Sequence, residues 1–317
     1  MKVVIVGFGG MGNTHYNVLK QMDDVEIIAL VDVEESRLTE KVNETGVRTY
    51  TDIRVMLENE KPDFVEICTP SYLHCEQSVA VMEKGIHVLS EKPAALNADD
   101  VKKIYKCAAE NNVMYMTAHV LRFWPEFAWL KEALDSGRYG KLINLNMWRP
   151  SGKPLYTWQN WMLDKEKSGL VPFDLHIHDI DFMIYLLGSP RETSYFQEIG
   201  THGHYVNTIC RYENGTRVEA SASWLTGKVP FKMGYEAIFE HAYADFCQDK
   251  LALYANGNEA EYPVDEIVLE GSDINVTNVN AYYKEVRYFM DCLKQNKTPS
   301  IITEEELLSA VSLLSHY

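Results

Sequence analysis

The sequence is short of positive charge. Its 30 lysines and arginines stand against 46 aspartates and glutamates, which leaves a formal net charge of −16 at pH 7. A chain this acidic lacks the basic surface with which proteins hold nucleic acids or anionic membranes, so we expect neither as a partner. The shortage does not exclude an anionic cofactor, because backbone amides at the start of a helix can hold phosphates locally.

Closely spaced cysteines and long apolar runs are also missing. The six cysteines lie far apart, with no Cys-x-x-Cys pair, which is typical of free thiols in a reducing cytosol. The chain has no run of roughly 18 apolar residues that could cross a membrane. It begins directly with an apolar strand rather than with a secretory leader. We therefore expect a cytoplasmic protein.

The remaining composition is that of an ordinary globular protein, with 46% hydrophobic and 24% charged residues. A length of 317 residues leaves room for two domains. Up to about residue 120, strand-like runs alternate with helix-like runs, one of which covers 34–45. This alternation predicts a doubly wound parallel sheet with helices on both of its faces. We take 1–120 as the first domain.

The pattern changes after residue 120, where short strand-like runs lie among helix-like ones. The strand-like runs are 142–148, 193–199, 205–212, 217–224 and 234–239. They predict an α+β domain over 121–317, built on a large open, mostly antiparallel sheet. A last pair of helices at 279–294 and 304–315 ends this domain, with the option that the last helix packs back towards the first domain.

The first strand runs into a glycine-rich turn of the form Gly-x-Gly-x-x-Gly, and an apolar helix pattern follows. Gly7 permits the tight turn, Gly9 lets the backbone approach a pyrophosphate, and Gly12 lets the helix lie close to the strand. The amides at the start of the helix then face the phosphates. Strand, turn and helix together predict dinucleotide binding by the whole turn: Gly7, Phe8, Gly9, Gly10, Met11 and Gly12.

The next predicted strand ends at Asp32, which lies 20 residues after Gly12. At this spacing a carboxylate accepts hydrogen bonds from both hydroxyls of an adenosine ribose and repels a 2′-phosphate, which favours NAD over NADP. Arg37 argues the other way, because a basic residue shortly after this strand could bind a 2′-phosphate. A solvated charge on a helix is the simpler interpretation of Arg37.

Two further polar segments follow predicted strands, Thr69-Pro70 and Glu91-Lys92-Pro93. Ligands of doubly wound sheets bind beyond the carboxyl ends of the strands, where both segments and the glycine-rich turn are expected. A lysine beside a nicotinamide site can donate to a substrate hydroxyl and lower its pKa. Pro93 favours an extended conformation for Lys92, and the peptide bond between them is a candidate for the cis form.

A second polar cluster, Asp174-Leu-His-Ile-His-Asp-Ile-Asp181, lies on a predicted helix in the second domain. Spacings of four and seven place Asp174, His178 and Asp181 on one helical face, away from His176 and Asp179. A histidine suits the removal of a hydroxyl proton because its unperturbed pKa lies near about 6.5. Two alternatives stay open, a capped helix start and a metal site. We expect no metal, because three ligands on one helix face rarely converge on one ion.

The ordered set of motifs resembles the Gfo/Idh/MocA oxidoreductases, the glucose-fructose oxidoreductase and inositol dehydrogenase family. The motifs that carry the resemblance span nearly the whole chain: Val6–Gly12, Cys68–His74, Glu91–Pro93, Arg122–Pro125, Gly137–Lys141 and Asp174–Asp181. The resemblance implies a Rossmann domain, followed by an α/β domain whose open sheet often mediates oligomers. We therefore expect a homodimer or a homotetramer formed through the C-terminal sheet.

The resemblance also implies roles for single residues. The catalytic lysine of the family falls on Lys92, and its aspartate and histidine fall on Asp174 and His178. The residues expected along the cofactor are Thr69, Pro70 and His74, with Glu91 near the nicotinamide ribose. His176 stands where many members have glycine, and it joins Arg122 and Trp161 as candidate substrate residues.

We expect NAD(P)-dependent hydride transfer between the cofactor and a hydroxyl of a sugar, polyol or cyclitol. One alternative is an NAD-dependent glycoside hydrolase that oxidises its substrate only transiently. Another is a non-catalytic nucleotide-binding regulator, which would be free to lose Lys92, Asp174 and His178. The sequence alone does not identify the substrate.

Overall fold

The computed structural model describes residues 1–39, 46–248, 250–255, 258–261 and 279–317. These residues form two compact units. The first comprises Met1–Val120 and the described part of Ile267–Glu304, and the second comprises the described part of Leu121–Glu266 and Glu305–Tyr317. Among the described residues, no helix is both long and apolar enough to span a bilayer.

The first unit is built on a six-stranded sheet, and its strand order is β3-β2-β1-β4-β5-β6. All of its neighbouring strands are parallel. The strands are β1 (Lys2–Val6), β2 (Glu26–Val31), β3 (Arg48–Tyr50), β4 (Phe64–Ile67), β5 (His87–Glu91) and β6 (Tyr115–Ala118). The central strands are buried on both faces, which explains their nearly continuous apolar sequences. This order and direction are those of a Rossmann sheet, as predicted.

Helices connect these strands and cover both faces of the sheet. They are α1 (Gly10–Leu19), α2 (Ile53–Asn59), α3 (His74–Met82) and α4 (Ala98–Glu110). Asn97 caps α4 as predicted, because its side chain accepts a hydrogen bond from the Asp100 amide. The predicted helix over 34–45 is helical at 35–39, and 40–45 lie outside the described residues.

A later helix, α7 (Asn280–Gln295), also belongs to the first unit. Its Phe289 ring lies 5.6 Å from the ring of Phe64 on β4. Arg287 forms a bidentate ion pair with Asp24, with nitrogen–oxygen distances of 2.8 and 2.9 Å. The core of the Rossmann unit is therefore completed by a segment that follows it by more than 150 residues.

The second unit is built on an eight-stranded sheet, and its strand order is β14-β13-β12-β11-β7-β10-β9-β8. The strands are β7 (Leu142–Gly152), β8 (Glu192–Gly200), β9 (Gly203–Arg211), β10 (Arg217–Leu225), β11 (Gly234–Phe239), β12 (Ala242–Cys247), β13 (Lys250–Ala255) and β14 (Asn258–Glu261). Among the described strands, β7 and β10 pair in parallel and the other neighbours are antiparallel. The predicted open, mostly antiparallel sheet is therefore confirmed.

The longer helices of the second unit are α5 (Pro125–Asp135), α6 (Ile177–Leu187) and α8 (Glu304–Leu314). Between the sheet and these helices lies an aromatic core in which Phe127 of α5 contacts Phe182 of α6. Ring centroids there are 4.8 Å apart, and Phe127 also meets Tyr235 and Phe246 from the sheet at 5.3 and 5.6 Å. Because α6 packs directly on this core, its position is set by the sheet.

Strands β12 to β14 are absent from the sequence prediction. The side chains of β12 alternate between buried and more exposed positions, but two of the buried ones are Ala242 and Ala244. Alanine favours helices rather than strands. The more exposed positions hold Tyr243 and Asp245, so the two faces of the strand differ little in the way that identifies a strand from sequence, with large apolar residues on one face and polar residues on the other. Tertiary pairing with β11 determines these strands more than local propensity does.

Candidate functional site

The glycine-rich turn between β1 and α1 has the geometry that the sequence predicts. Gly7 has a φ of +90°, a conformation that glycine adopts without strain, and its amide donates to the Val31 carbonyl at 2.7 Å. A Cβ on Gly12 would overlap the carbonyl oxygen of Gly7. The absent side chain of Gly12 therefore lets α1 lie against the turn.

Gly9 faces open space. For a Cβ placed on Gly9, the nearest atom of the protein is Nη1 of Arg37, at 3.9 Å. Gly9 is also the N-cap of α1, so no side chain caps the first turn of this helix. The turn thus combines space for a bulky ligand with the amide end of a helix, and this combination fits a pyrophosphate.

Asp32 lies directly after β2 and is buried. Its Oδ2 accepts a hydrogen bond from the Phe8 amide at 2.7 Å, and its Oδ1 accepts one from the Glu34 amide at 2.8 Å. Arg37 lies 3.3 Å from Oδ2 and forms an ion pair with it. The turn, the aspartate and the arginine therefore form one connected group.

The carboxyl ends of β4 and β5 are joined by His74. Its Nδ1 lies 2.7 Å from the carbonyl oxygen of Pro93, and its Nε2 lies 2.7 Å from that of Thr69. The peptide bond between Lys92 and Pro93 is cis. Burial lowers the pKa of His74, although the two carbonyls act in the opposite direction. His74, predicted to lie along the cofactor, is itself buried and braces the two loops that carry Thr69 and Lys92.

Lys92 follows β5 and is partly exposed, whereas its neighbour Glu91 is buried. Glu91 Oε1 lies 3.0 Å from Nε2 of His15, and Glu91 Oε2 accepts a hydrogen bond from the Lys92 amide at 3.1 Å. The carboxylate expected near the nicotinamide ribose is thus held by the protein through both of its oxygens. Within the first unit, the turn, Asp32, Thr69 and Lys92 all lie at carboxyl ends of parallel strands.

In the second unit, Asp174 and His178 lie at the start of the helical segment that becomes α6. Asp174 is part of a π-helical turn, Pro172–His176, and His178 is in the first turn of α6. Such turns are rare and often occur at functional sites. Both side chains are partly exposed, while His176 and Asp179 are buried, as their spacing predicts. Asp181 does not share the exposed face, because its side chain is buried.

Two buried arginine–aspartate pairs hold α6 in place. Arg122 binds Asp181 in a bidentate pair at 2.6 and 3.0 Å, and it also contacts Glu306 at 3.0 Å. Arg149 binds Asp179 at 2.8 and 3.3 Å. Burial raises the pKa of Asp179, and the nearby Arg149 partly offsets this effect. Arg122, a candidate substrate residue, therefore directs its guanidinium to two acids of its own unit.

The remaining two candidate substrate residues differ in exposure. Trp161 is partly buried on the 3₁₀ segment Trp158–Leu163. His176 is fully buried, and its Nε2 lies 2.7 Å from Oγ1 of Thr208, which in turn lies 2.6 Å from the Tyr317 hydroxyl. Burial and the nearby Arg149 lower the pKa of His176 to about 3. The side chain that replaces the usual glycine thus extends into the core beneath Asp174 and His178.

Two buried polar residues near Lys92, His15 and Glu66, were not identified from the sequence. Nδ1 of His15 lies 2.9 Å from Oε2 of Glu66, and both residues are almost fully buried. A charged residue at the centre of the apolar strand Phe64–Ile67 was the available signal, because buried carboxylates require a partner.

Comparisons with known proteins agree with the fold. Residues 1–119 match the model of an oxidoreductase family with an NAD-binding Rossmann fold, and residues 127–240 match that of the GFO/IDH/MocA C-terminal domain. A myo-inositol 2-dehydrogenase of Thermotoga maritima is 30% identical over 228 residues, which are 68% of this chain and 66% of that protein. A 2,7-anhydro-N-acetylneuraminate hydratase of Mediterraneibacter gnavus is 28% identical over 59% of this chain and 50% of its own length. The chain thus spans between half and two thirds of the length of these relatives.

The fold is also that of solved structures. A levoglucosan dehydrogenase in complex with NADH and levoglucosan superposes with a TM-score of 0.83 at 17% identity, over 100% of this chain and 96% of that one. At this identity the likeness concerns the fold alone.

We expect Gly12→Ala and Gly9→Ala to have different effects. The added methyl group at Gly12 would overlap the Gly7 carbonyl, so the free energy of unfolding in urea should fall by about 3 kcal/mol. At Gly9 the methyl group meets open space, so stability should change by less than about 0.5 kcal/mol. NAD affinity, measured by quenching of intrinsic fluorescence, should nevertheless fall in Gly9→Ala. Equal losses of stability in the two variants would contradict this assignment.

The buried His176 should make stability depend on pH. In an unfolded chain a histidine titrates near pH ~6.5. Below that pH the unfolded state therefore binds a proton at His176, whereas the folded state does not. Its contribution to stability is complete above pH ~7 and is lost as the pH falls from ~6.5 towards its lowered pKa of about 3. Between pH 7 and pH 5, the wild type should lose about 2 kcal/mol more unfolding free energy than His176→Gln. The exposed His202 provides the control, since His202→Gln should retain the wild-type dependence.

Proposed function

Because this chain belongs to the Gfo/Idh/MocA oxidoreductase family, we propose that it transfers hydride between a nicotinamide cofactor and a hydroxyl carbon of a sugar, polyol or cyclitol. The observation that carries the proposal is the row of groups at the carboxyl ends of β1, β2 and β5. Open space lies above Gly9, and the buried Asp32 is close to the glycine-rich turn. Lys92 directly follows β5. A dinucleotide-binding turn and a lysine at the same edge of one sheet are what this chemistry needs.

The proposed roles follow from the chemistry of each side chain. The bound cofactor would accept or return the hydride at its nicotinamide ring. The Lys92 ammonium donates to the reacting oxygen and stabilises negative charge on it. The imidazole of His178 takes the hydroxyl proton during oxidation, and Asp174, four residues earlier, orients the substrate and stabilises the imidazolium.

We propose NAD as the preferred cofactor. The carboxylate of Asp32 would accept from the ribose hydroxyls and would repel a 2′-phosphate. Arg37 is the residue that could reverse this preference, but its guanidinium lies 3.3 Å from Asp32 and is partly neutralised there. The matched family model, described as NAD-binding, is consistent with this preference.

The substrate class rests on the relatives. Their names contain myo-inositol, which is a cyclitol, and 2,7-anhydro-N-acetylneuraminate, which is an anhydro sugar. The similarity to a hydratase of an anhydro sugar favours one alternative, in which NAD oxidises the substrate transiently and no NADH accumulates. The absorbance of the reduced cofactor distinguishes the two functions, because it rises during net dehydrogenation and stays constant when the oxidation is transient. We therefore propose a panel of sugars, cyclitols and their phosphates, each with NAD and with NADP.

We further propose a cytoplasmic homodimer or homotetramer formed through the C-terminal sheet. The strand register places Phe196, Ile238 and Tyr254 on the same face of this sheet. These side chains are 55%, 40% and 42% exposed. Exposed apolar side chains that share one face are typical of interaction surfaces.

Lys92→Met should remove turnover and leave cofactor binding in place. We expect kcat to fall on the order of 10³-fold, because the developing oxyanion loses its charged donor. The dissociation constant of NAD should remain close to that of the wild type. Lys103→Met, an exposed lysine of the same unit, is the matched control and should retain full activity. A fully active Lys92→Met variant would refute the assignment.

His178→Gln should change the pH dependence of oxidation. If His178 is the base, kcat/KM of the wild type falls at acidic pH as an imidazole titrates, and this limb disappears in the variant together with most of the rate. His202→Gln, an exposed histidine of the second unit, should leave the limb unchanged. An acidic limb that survives in His178→Gln would place the base at another residue.

A further inference from the structure

His15, on the second turn of α1, lies between two buried carboxylates from neighbouring strands. Its Nδ1 is 2.9 Å from Oε2 of Glu66 on β4, and its Nε2 is 3.0 Å from Oε1 of Glu91 on β5. The side chains of His15 and Glu66 are each 1% exposed, and that of Glu91 is 8% exposed. Both ring nitrogens of His15 therefore face carboxylate oxygens inside the protein.

A ring with carboxylates next to both nitrogens is most favourable as an imidazolium, which forms an ion pair with Glu66 and a hydrogen bond with Glu91. Burial alone would lower the pKa of His15, but Glu66 and Glu91 outweigh burial and raise it well above its usual value. Burial likewise acts to raise the pKa of Glu91, and the hydrogen bond from His15 brings it below its usual value instead. One positive charge thus lies between two negative ones.

The contact continues from Glu91 to the lysine. Glu91 is the last residue of β5, and its Oε2 accepts a hydrogen bond from the Lys92 amide at 3.1 Å. Its other oxygen is the one that faces His15. The carboxylate therefore links the imidazole to the backbone of Lys92 through two short contacts.

We propose that His15 is a positioning residue that fixes Glu91 and, through it, the backbone of Lys92. The Lys92 side chain then leaves the backbone at a fixed position at the carboxyl end of β5. This inference rests on the role proposed for Lys92. Without the imidazole, Glu66 and Glu91 would be two buried carboxylates with no cation between them, and the Glu91 carboxylate would move or take up a proton. In either case its bond to the Lys92 amide changes.

Other charged or titratable groups surround the cluster. Burial, together with Glu66, Glu91 and Glu285, raises the pKa of Cys68 well above its usual value, so this thiol stays neutral. Lys92 and His74 are close enough to Glu91 to help lower its pKa. The ring of Tyr282 on α7 lies 6.0 Å from the ring of His15.

The same atoms raise the question of a metal ion. One nitrogen of His15, one oxygen of Glu66 and the thiol sulfur of Cys68 lie within 4.8 Å of one another. The nitrogen–oxygen separation of 2.9 Å matches a close ion pair, whereas two ligands of a tetrahedral zinc ion stand roughly 3.3 Å apart at the usual bond lengths. The geometry therefore favours a charged imidazole over a metal.

His15→Gln tests the proposal, with His87→Gln as the matched control. His87 is on the same strand as Glu91 but at its other end, where its Nδ1 accepts from the Met114 amide at 2.8 Å. Because a small misplacement of a reacting group can lower the rate on the order of 100-fold, we expect a loss of this size in kcat for His15→Gln only. The dissociation constant of NAD should change little in either variant.

A readout without turnover separates this inference from the proposed function. Reductive methylation with a ¹³C label gives each lysine an NMR signal. The signal that is missing from the spectrum of Lys92→Arg is the signal of Lys92. In His15→Gln the Lys92 signal should move to the position of a freely exposed lysine, whereas in His87→Gln it should stay. A wild type that oxidises no polyol would refute the proposed function, and the Lys92 signal would still test His15.

Glu66→Gln provides a second test if His15→Gln does not fold. In the wild type, ¹⁵N spectra should show His15 with both nitrogens still protonated at pH values well above the ordinary titration range of histidine. Losing the Glu66 carboxylate should lower the pH at which His15 loses its proton, and kcat should fall as that proton is lost. Wild-type kcat and an unchanged Lys92 signal in His15→Gln would overturn the proposal. One equivalent of zinc that copurifies with the wild type and is lost in Glu66→Gln would also overturn it, in favour of a metal site.

Discussion

The close approach of α1 to the end of β1 is the constraint on which the site of the first unit depends. It is possible because Gly12 carries no side chain where a Cβ would overlap the Gly7 carbonyl. The same approach brings His15, three residues later, between Glu66 on β4 and Glu91 on β5. The missing side chain of Gly12 therefore has two effects, since it brings the amide end of α1 to the glycine-rich turn and places a cation among buried acids. A helix held farther out would leave both carboxylates without this partner.

Most of the fold could be predicted because the hydrophobic patterns that determine it are local in sequence. Alternating strand-like and helix-like runs predict the first sheet, and an alternation of apolar and polar residues predicts most strands of the second. The strands from 242 to 261 were missed, because alanines fill buried positions of β12 and their strand conformation comes from pairing with β11. Local propensity carries little information where tertiary contacts decide the conformation. In the same way, no local pattern shows that the core of the Rossmann unit includes α7.

The candidate site was predictable where a motif carries its own physical requirement. Each of three motifs implies a local backbone conformation: glycines in a tight turn, an aspartate at a fixed sequence spacing, and a lysine before proline. Partners distant in sequence are different, because pairing depends on the fold: Arg122 with Asp181, Arg149 with Asp179, and His15 with Glu66 and Glu91. Helical spacing placed Asp181 on the face of His178, yet its carboxylate turns inward to Arg122. A buried cation can override the face that periodicity assigns, since an unpaired arginine in the core is costly.

These pairs also show how an acidic chain holds its candidate reactive groups in place. In the segment from 174 to 181, the two buried aspartates bind arginines, and the partly exposed Asp174 and His178 lie on the backbone that those pairs fix. In the first unit, His15 acts in the same way on the segment that carries Lys92. Buried ion pairs add little net stability compared with apolar packing, but their geometry is strict because each misaligned hydrogen bond leaves a charge unsatisfied. That strictness fits the roles proposed for Lys92 and His178, and it gives a reason for the ion pairs buried in both units.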